Sequence, residues 1–192
     1  GVNTIKIDKY AFQFDLAKEF PILMTKQLFS RQAITEMLWI WQMASNDVRK
    51  LQERNVHIWD EWMVDADGIY RIYEPVTTNY DPNKEVTVLD PYSASLKDPL
   101  AKQKPLLPKL DENGNVMTAK SLIEGKNIKE AKWYGKEYAY TIGTAYGYIV
   151  DRYKFTEELI WTIKNSPTDR RMVYSLWQNE FLRTAVLPSC VW

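Results

Sequence analysis

The apolar positions change period several times along the chain, and each change marks an element. Residues 4–15 alternate, with Ile5 and Ile7 followed by Tyr10, Phe12 and Phe14. A period of two predicts a strand, turning back on itself near Asp8 and Lys9. Phe20-Pro21 interrupts this pattern, and residues 22–26 read as a short extended entry to a helix. Residues 27–43 then adopt the helical period. Ile34, Met37, Leu38 and Trp41 form one stripe; Phe29, Ala33 and Ile40 form a second sector at about 3.6 residues per turn. A helix apolar on two sides is expected to be central and buried. Glu36 projects into the second sector, where its carboxyl should be partly desolvated.

Ser45-Asn46-Asp47 is a capping cluster that predicts a short helix to about Arg54, stopped by Asn55. Residues 65–138 keep no sustained period until Ile123 and hold six of the nine prolines, so they read as a long, partly ordered surface insertion. Asn113 and Gly114 predict a hairpin turn within it. Trp133, Tyr134, Tyr138 and Tyr140 predict that its last part packs back onto the body. Residues 141–147 return to core-like sequence. Thr156 then predicts a helix start, with Glu157 and Glu158 in the first turn, where the helix dipole favours anions. Leu159, Ile160 and Ile163 are its expected buried face, and Asn165-Ser166-Pro167 its end. Residues 172–177 read as a strand.

Composition narrows the function classes. A chain of 192 residues supports one domain with a substantial core, and 45% hydrophobic with 26% charged residues is ordinary for a globular protein. A formal net charge of zero gives no reason to expect nucleic acid or a membrane surface as partner. Charges interrupt every apolar run before it reaches membrane-spanning length. Residues 1–14 contain no apolar signal-peptide core, and a single cysteine fits a reducing compartment, so the expected location is cytoplasmic. Eight tryptophans exceed what charge or fold class requires; flat rings suit both a core and a heterocyclic ligand.

The lone cysteine, Cys190, has two readings. A single cysteine is most often buried and inert; beside fixed positive charge it becomes a thiolate nucleophile, and Arg170-Arg171 is the nearest adjacent cationic pair in the sequence. Glu36 likewise either pairs with Arg31 or Lys26 at the edge of the core or serves as a perturbed acid at a functional site. His57 is the only histidine and reads as a packing or surface residue, and no Cys/His set exists for a metal. No nucleophile elbow and no phosphate loop is present.

Five blocks, in order, resemble the thymidylate synthase family, in its Bacillus type. They are F-P-I-L-M-T-K (residues 20–26), T-E-M-L-W-I-W (35–41), V-H-I-W-D-E-W (56–62), G-T-A-Y-G (143–147), and D-R-R with the L-P-S-C end (169–190). The resemblance implies an α+β fold, a mixed β-sheet packed by helices. Residues 1–64 and 141–192 would form its core and residues 65–140 an insertion. The family's second half follows the cysteine, so that half of the fold is expected to be missing from this chain. The implied reaction converts dUMP to dTMP with methylenetetrahydrofolate as cosubstrate and no metal. Cys190 would attack carbon 6 of uracil, Glu36 would order water and move protons, and Tyr146 would stand near carbon 5. Arg170 and Arg171 would bind the nucleotide phosphate in the partner subunit of a homodimer. Trp59, Trp62 and Lys26 would face the folate. The chain departs from the family's pattern at Ser189, where proline is common, and at Gln178, where asparagine is usual. Two other readings stay open on the residues alone: a dUMP or dCMP hydroxymethylase on the same scaffold, and a non-catalytic piece that needs a partner chain.

Overall fold

The computed structural model describes residues 8–22, 25–74, 79–93 and 105–189. The fold is α+β, with a mixed sheet beside a helical layer. Helix α1 (Ser30–Met37) runs directly into a wider π-turn, Leu38–Gln42. Helices α2 (Arg49–Gln52), α3 (Gly147–Tyr153) and α4 (Phe155–Asn165) follow. The strands are β1 (Ile69–Tyr73), β2 (Glu85–Asp90), β3 (Leu107–Pro108), β4 (Thr118–Lys120) and β5 (Ile128–Trp133).

The principal core gathers Trp39, Ile40, Val48, Leu51, Val56, Trp59, Ile142, Ala145, Val150 and Ala185. These come from four separated stretches, which explains why no single stretch is buried throughout. The π-turn helps to place them: Met43 N–H bonds to Leu38 C=O at 2.9 Å, one residue wider than an α-turn, and Trp39 and Ile40 end up buried. The stripe expected to be buried is not: Ile34, Met37 and Leu38 are exposed and Trp41 is half-buried. The helix buries its C-terminal end, not a full-length face.

Residues 65–138, expected to be weakly ordered, supply every named strand among the described residues. The strand order is β1-β5-β2-β3, with β4 pairing β2. β1 runs antiparallel to β5, and β2 runs parallel to β5. Their period escaped the sequence because β3 and β4 hold only two and three residues, too few to show alternation. Ile69, Val88, Ala119, Ile128 and Ala131 form this layer's own core. The turn at Asn113 and Gly114 is present: Asp111 N–H bonds to Asn115 C=O at 2.8 Å, and Leu110 bridges Val116. The aromatic return also holds, since Tyr134 is 1% exposed and clusters with Val64 and Tyr70.

Two expected strands do not form. Residues 8–15 carry no strand, and Tyr10, Phe12 and Phe14 are exposed; residues 4–7 lie outside the described part. Residues 172–177 are irregular. Alternation supplies a face but not a partner, and a strand needs both. The start of α4 is set differently from expectation: Thr156 Oγ1 donates to Trp41 C=O at 2.6 Å, tying the helix to the π-turn instead of capping it, and Lys154 takes the cap position. Thr162 is the buried residue of α4, while Ile160 and Ile163 are exposed.

Candidate functional site

Glu36 stands in the last turn of α1, half-buried. Its Oε1 accepts the Trp59 indole N–H at 2.6 Å, a short charge-assisted bond. Trp59 is 8% exposed and is the hub of the site. Its ring lies 6.2 Å from Trp39, 5.5 Å edge-on from Trp62 and 5.3 Å from Tyr146, measured between centroids. One indole therefore joins three of the five sequence blocks, each ring contact contributing about 0.5–1.5 kcal/mol beyond area burial. Arg31, offered as a partner for Glu36, instead donates to Arg54 C=O at 2.8 Å.

Tyr146 precedes α3 with φ 50° and ψ −107°. A non-glycine residue there carries about 1–3 kcal/mol of strain, tolerable only where the surroundings over-determine it. They do. Ile142 N–H bonds to Asn46 C=O at 3.1 Å, and Val186 N–H to Ile142 C=O at 3.1 Å. Thr144 N–H bonds to Thr184 C=O at 3.0 Å, and the two threonine hydroxyls share a bond of 2.6 Å. The two glycines flanking the run permit this crowding. A Cβ on Gly143 would collide with Thr184 C=O, and one on Gly147 with the backbone of Ser45. Gly143 also has φ 70°, which a side chain disfavours.

Ser189 completes the arrangement. It is 5% exposed, and its hydroxyl accepts Tyr146 N–H at 3.5 Å. Cys190, the next residue, lies outside the described residues. The clamping threonines gave no signal in the sequence, whereas Ser189 stood out there only as a serine where proline is common.

Of the other expected site residues, Trp62 adjoins Trp59 and the rest sit apart. Trp62 is half-buried, touching Trp59 on one side and the Val64, Tyr70 and Tyr134 cluster on the other. Lys26 is exposed in a bend. Arg170 and Arg171 are exposed and line, with Ser166, Thr168 and Asp169, a separate depression of about 410 Å³. Arg171 forks onto Asp169, with Nε and Nη2 at 3.0 and 2.9 Å from its two oxygens. That hydrogen bonding holds the Asp169 carboxyl below the usual aspartate range and raises the Arg171 guanidinium. No hydrogen bond, ion pair or ring contact among the described residues joins either arginine to Glu36 or Trp59. His57 Nδ1 lies 2.8 Å from Asp60 Oδ2 on the surface, as a surface histidine would. No helix is long and apolar enough to cross a membrane among the described residues.

Comparison with known proteins bears on this geometry. The family model described as thymidylate synthase matches residues 1–192. A thymidylate synthase of Clostridium beijerinckii is 31% identical over 190 residues, covering 99% of this chain and 44% of that protein. One from Listeria monocytogenes is 27% identical over 197 residues, covering 99% of this chain and 55% of that protein. One from Bacillus licheniformis is 44% identical over 71 residues, covering 37% of this chain and 25% of that protein. Among solved structures, thermostable thymidylate synthase A from Bacillus subtilis aligns with TM-score 0.46 and 24% identity, covering 88% of this chain and 38% of that one. The chain thus spans about half the length, or less, of these relatives.

Proposed function

The chain belongs to the thymidylate synthase family, and from that premise we propose that Glu36, Trp59 and Tyr146, together with Cys190, belong to a site that methylates dUMP to dTMP. Methylenetetrahydrofolate would supply the one-carbon unit and the hydride. The observation that carries the reading is the Trp59 indole, which binds the Glu36 carboxylate and packs on Tyr146. A carboxylate with one oxygen held by an indole presents its other oxygen to water or to a proton in transit, as general acid–base work requires. Trp59 and Trp62, packed edge to face beside it, supply aromatic surface that suits a pterin-like heterocycle.

In this reading the Cys190 thiolate adds to carbon 6 of the uracil ring, and the electron pair moves to carbon 5. Carbon 5 bonds to the one-carbon unit and loses its proton. The folate then leaves, and its hydride reduces the exocyclic methylene to methyl. Expulsion of Cys190 restores the ring, giving dTMP and dihydrofolate. Arg170 and Arg171 bind the phosphate of the nucleotide held by the partner subunit of a homodimer. Their exposure supports that role, because a guanidinium reaching another subunit cannot be buried in its own. Lys26 contributes on the folate side, residues 65–140 are an insertion, and the enzyme works in the cytoplasm.

The test is to incubate the protein with dUMP and methylenetetrahydrofolate and follow dihydrofolate by its ultraviolet absorbance and the nucleotide by chromatography. Equal amounts of dihydrofolate and dTMP are expected. A hydroxymethyl nucleotide without dihydrofolate, or no turnover, would overturn the reading.

A further inference from the structure

A second cavity, of about 660 Å³, is lined in part by the turn that carries Trp62. Its walls are the Asp60–Trp62 turn with the residues after it, strand β1, and the segment after β4. The volume falls within the range of small-molecule sites, about 300–1,000 Å³. Of its ionisable lining residues, Asp60, Glu61, Asp65 and Glu74 are acids and Arg71 and Lys126 are bases, so the balance favours a cation.

Most of these charges are already spent. Asp65 and Asp67 both bind the Arg71 guanidinium, Glu74 binds Lys84 at 2.8 Å, and Asp60 binds His57. Glu61 forms no ion pair among the described residues. Tyr70 is the second free group. It is only 7% exposed, yet its hydroxyl has no hydrogen-bond partner among the described residues, although it lines the cavity. The hydroxyl oxygen itself is reached by solvent, so it is open to hydrogen bonding with an occupant of the cavity. Burial, then the nearby Glu61 and Glu130 carboxylates, push its pKa up to about 12, so it remains a neutral phenol. Among the described residues no three His, Cys, Asp or Glu side chains converge as metal ligands, which points away from an ion. Met63, Ile72 and Leu122 supply an apolar wall for a carbon chain.

We propose that this cavity binds a small organic cation bearing a primary ammonium group, held between the Glu61 carboxylate and the Tyr70 hydroxyl. The ammonium donates to both oxygens, and its carbon chain lies along the apolar wall. Lys126 forms no ion pair among the described residues, and it disfavours a second positive charge at its own end. This site is separate from the Glu36 and Trp59 contact and holds whether or not the methylation reading does.

Titration calorimetry with pentylamine, and with valerate and pentanol as its anionic and neutral counterparts, tests it. Pentylamine should bind saturably at one site, and the other two should not. Glu61→Gln should weaken pentylamine roughly tenfold, the scale of one charge-assisted hydrogen bond. Glu61 is exposed, so this variant carries little folding risk. Tyr70→Phe keeps the ring that packs 6.5 Å from Tyr134 and removes only the hydroxyl; it should also weaken binding. Absence of saturable binding, equal binding of valerate, or full affinity in either variant would overturn the proposal.

Discussion

At the scale of the residue, the Trp59 to Glu36 bond is where structure and proposed chemistry meet most directly. Trp59→Phe keeps an aromatic ring among Trp39, Trp62 and Tyr146 but removes the N–H that holds the carboxylate. We expect a stability loss of about 1–2 kcal/mol in urea unfolding. We also expect kcat to fall at least tenfold with the nucleotide KM little changed, because the carboxylate loses orientation rather than the ligand losing contacts. An unchanged kcat would separate this bond from catalysis. Arg71 offers a second residue-level test. Burial works against its charge, but hydrogen bonds to Asp67 and Asp65 prevail, and its pKa rises. For Asp67, burial is likewise outweighed by Arg71, and its pKa is lowered. A carboxyl with a lowered folded pKa stabilises above its unfolded value, and that contribution is lost as pH falls through the folded one. Asp65 runs the other way: burial prevails over Arg71 and raises it, so its contribution is present at low pH and fades as pH rises through its folded value. Acidification should therefore cost stability chiefly below the ordinary aspartate range, as Asp67 protonates. Asp67→Asn should flatten that acid limb in unfolding curves taken across pH.

At the scale of the element, the Tyr146 turn is the most constrained piece of the fold. Its backbone fits only because Gly147 lets it touch Ser45. Gly147→Ala should destabilise by about 2–4 kcal/mol, a magnitude reached when a backbone must shift rather than a flexible side chain. A shift in the denaturation midpoint worth less than about 1 kcal/mol would mean that the contact relaxes cheaply. The helix pattern of residues 27–43 was legible because a long helical period is the strongest local signal. Which residues it buries was not legible. The π-turn at Leu38–Gln42 has no sequence marker of its own, and the partner of the Ile34 stripe is not encoded in that stripe. The β-layer shows the converse. Gly114 and its neighbours announced a turn, whereas β2 and β5 pair in parallel with the 37 residues 91–127 between them, a contact that no local period reports.

At the scale of the whole molecule, the proposed homodimer makes a quantitative prediction. If Arg170 and Arg171 serve the partner's nucleotide, a Cys190→Ala chain and an Arg170→Ala/Arg171→Ala chain are each inactive for different reasons. Mixed in equal amounts and allowed to exchange, half of the dimers are hybrid and each hybrid has one intact site. Activity should recover to about a quarter of the wild-type value. No recovery, with hybrids demonstrated by mass spectrometry, would place those arginines in their own subunit's site. Ile160, Trp161 and Ile163 on α4 and Ile34 and Met37 on α1 are all exposed.

Local order along the chain was enough to locate α1, α2 and α4 but not α3, together with the Asn113 and Gly114 turn and the five blocks that mark the family, because periodicity, turn chemistry and block order are properties of neighbouring residues. Tertiary structure alone decided that residues 65–138 form the sheet, that residues 8–15 form none, and that one indole joins Glu36 to Tyr146. Those outcomes depend on which distant backbone or side chain is within hydrogen-bonding reach. That is a property of the folded arrangement, and no window of adjacent residues contains it.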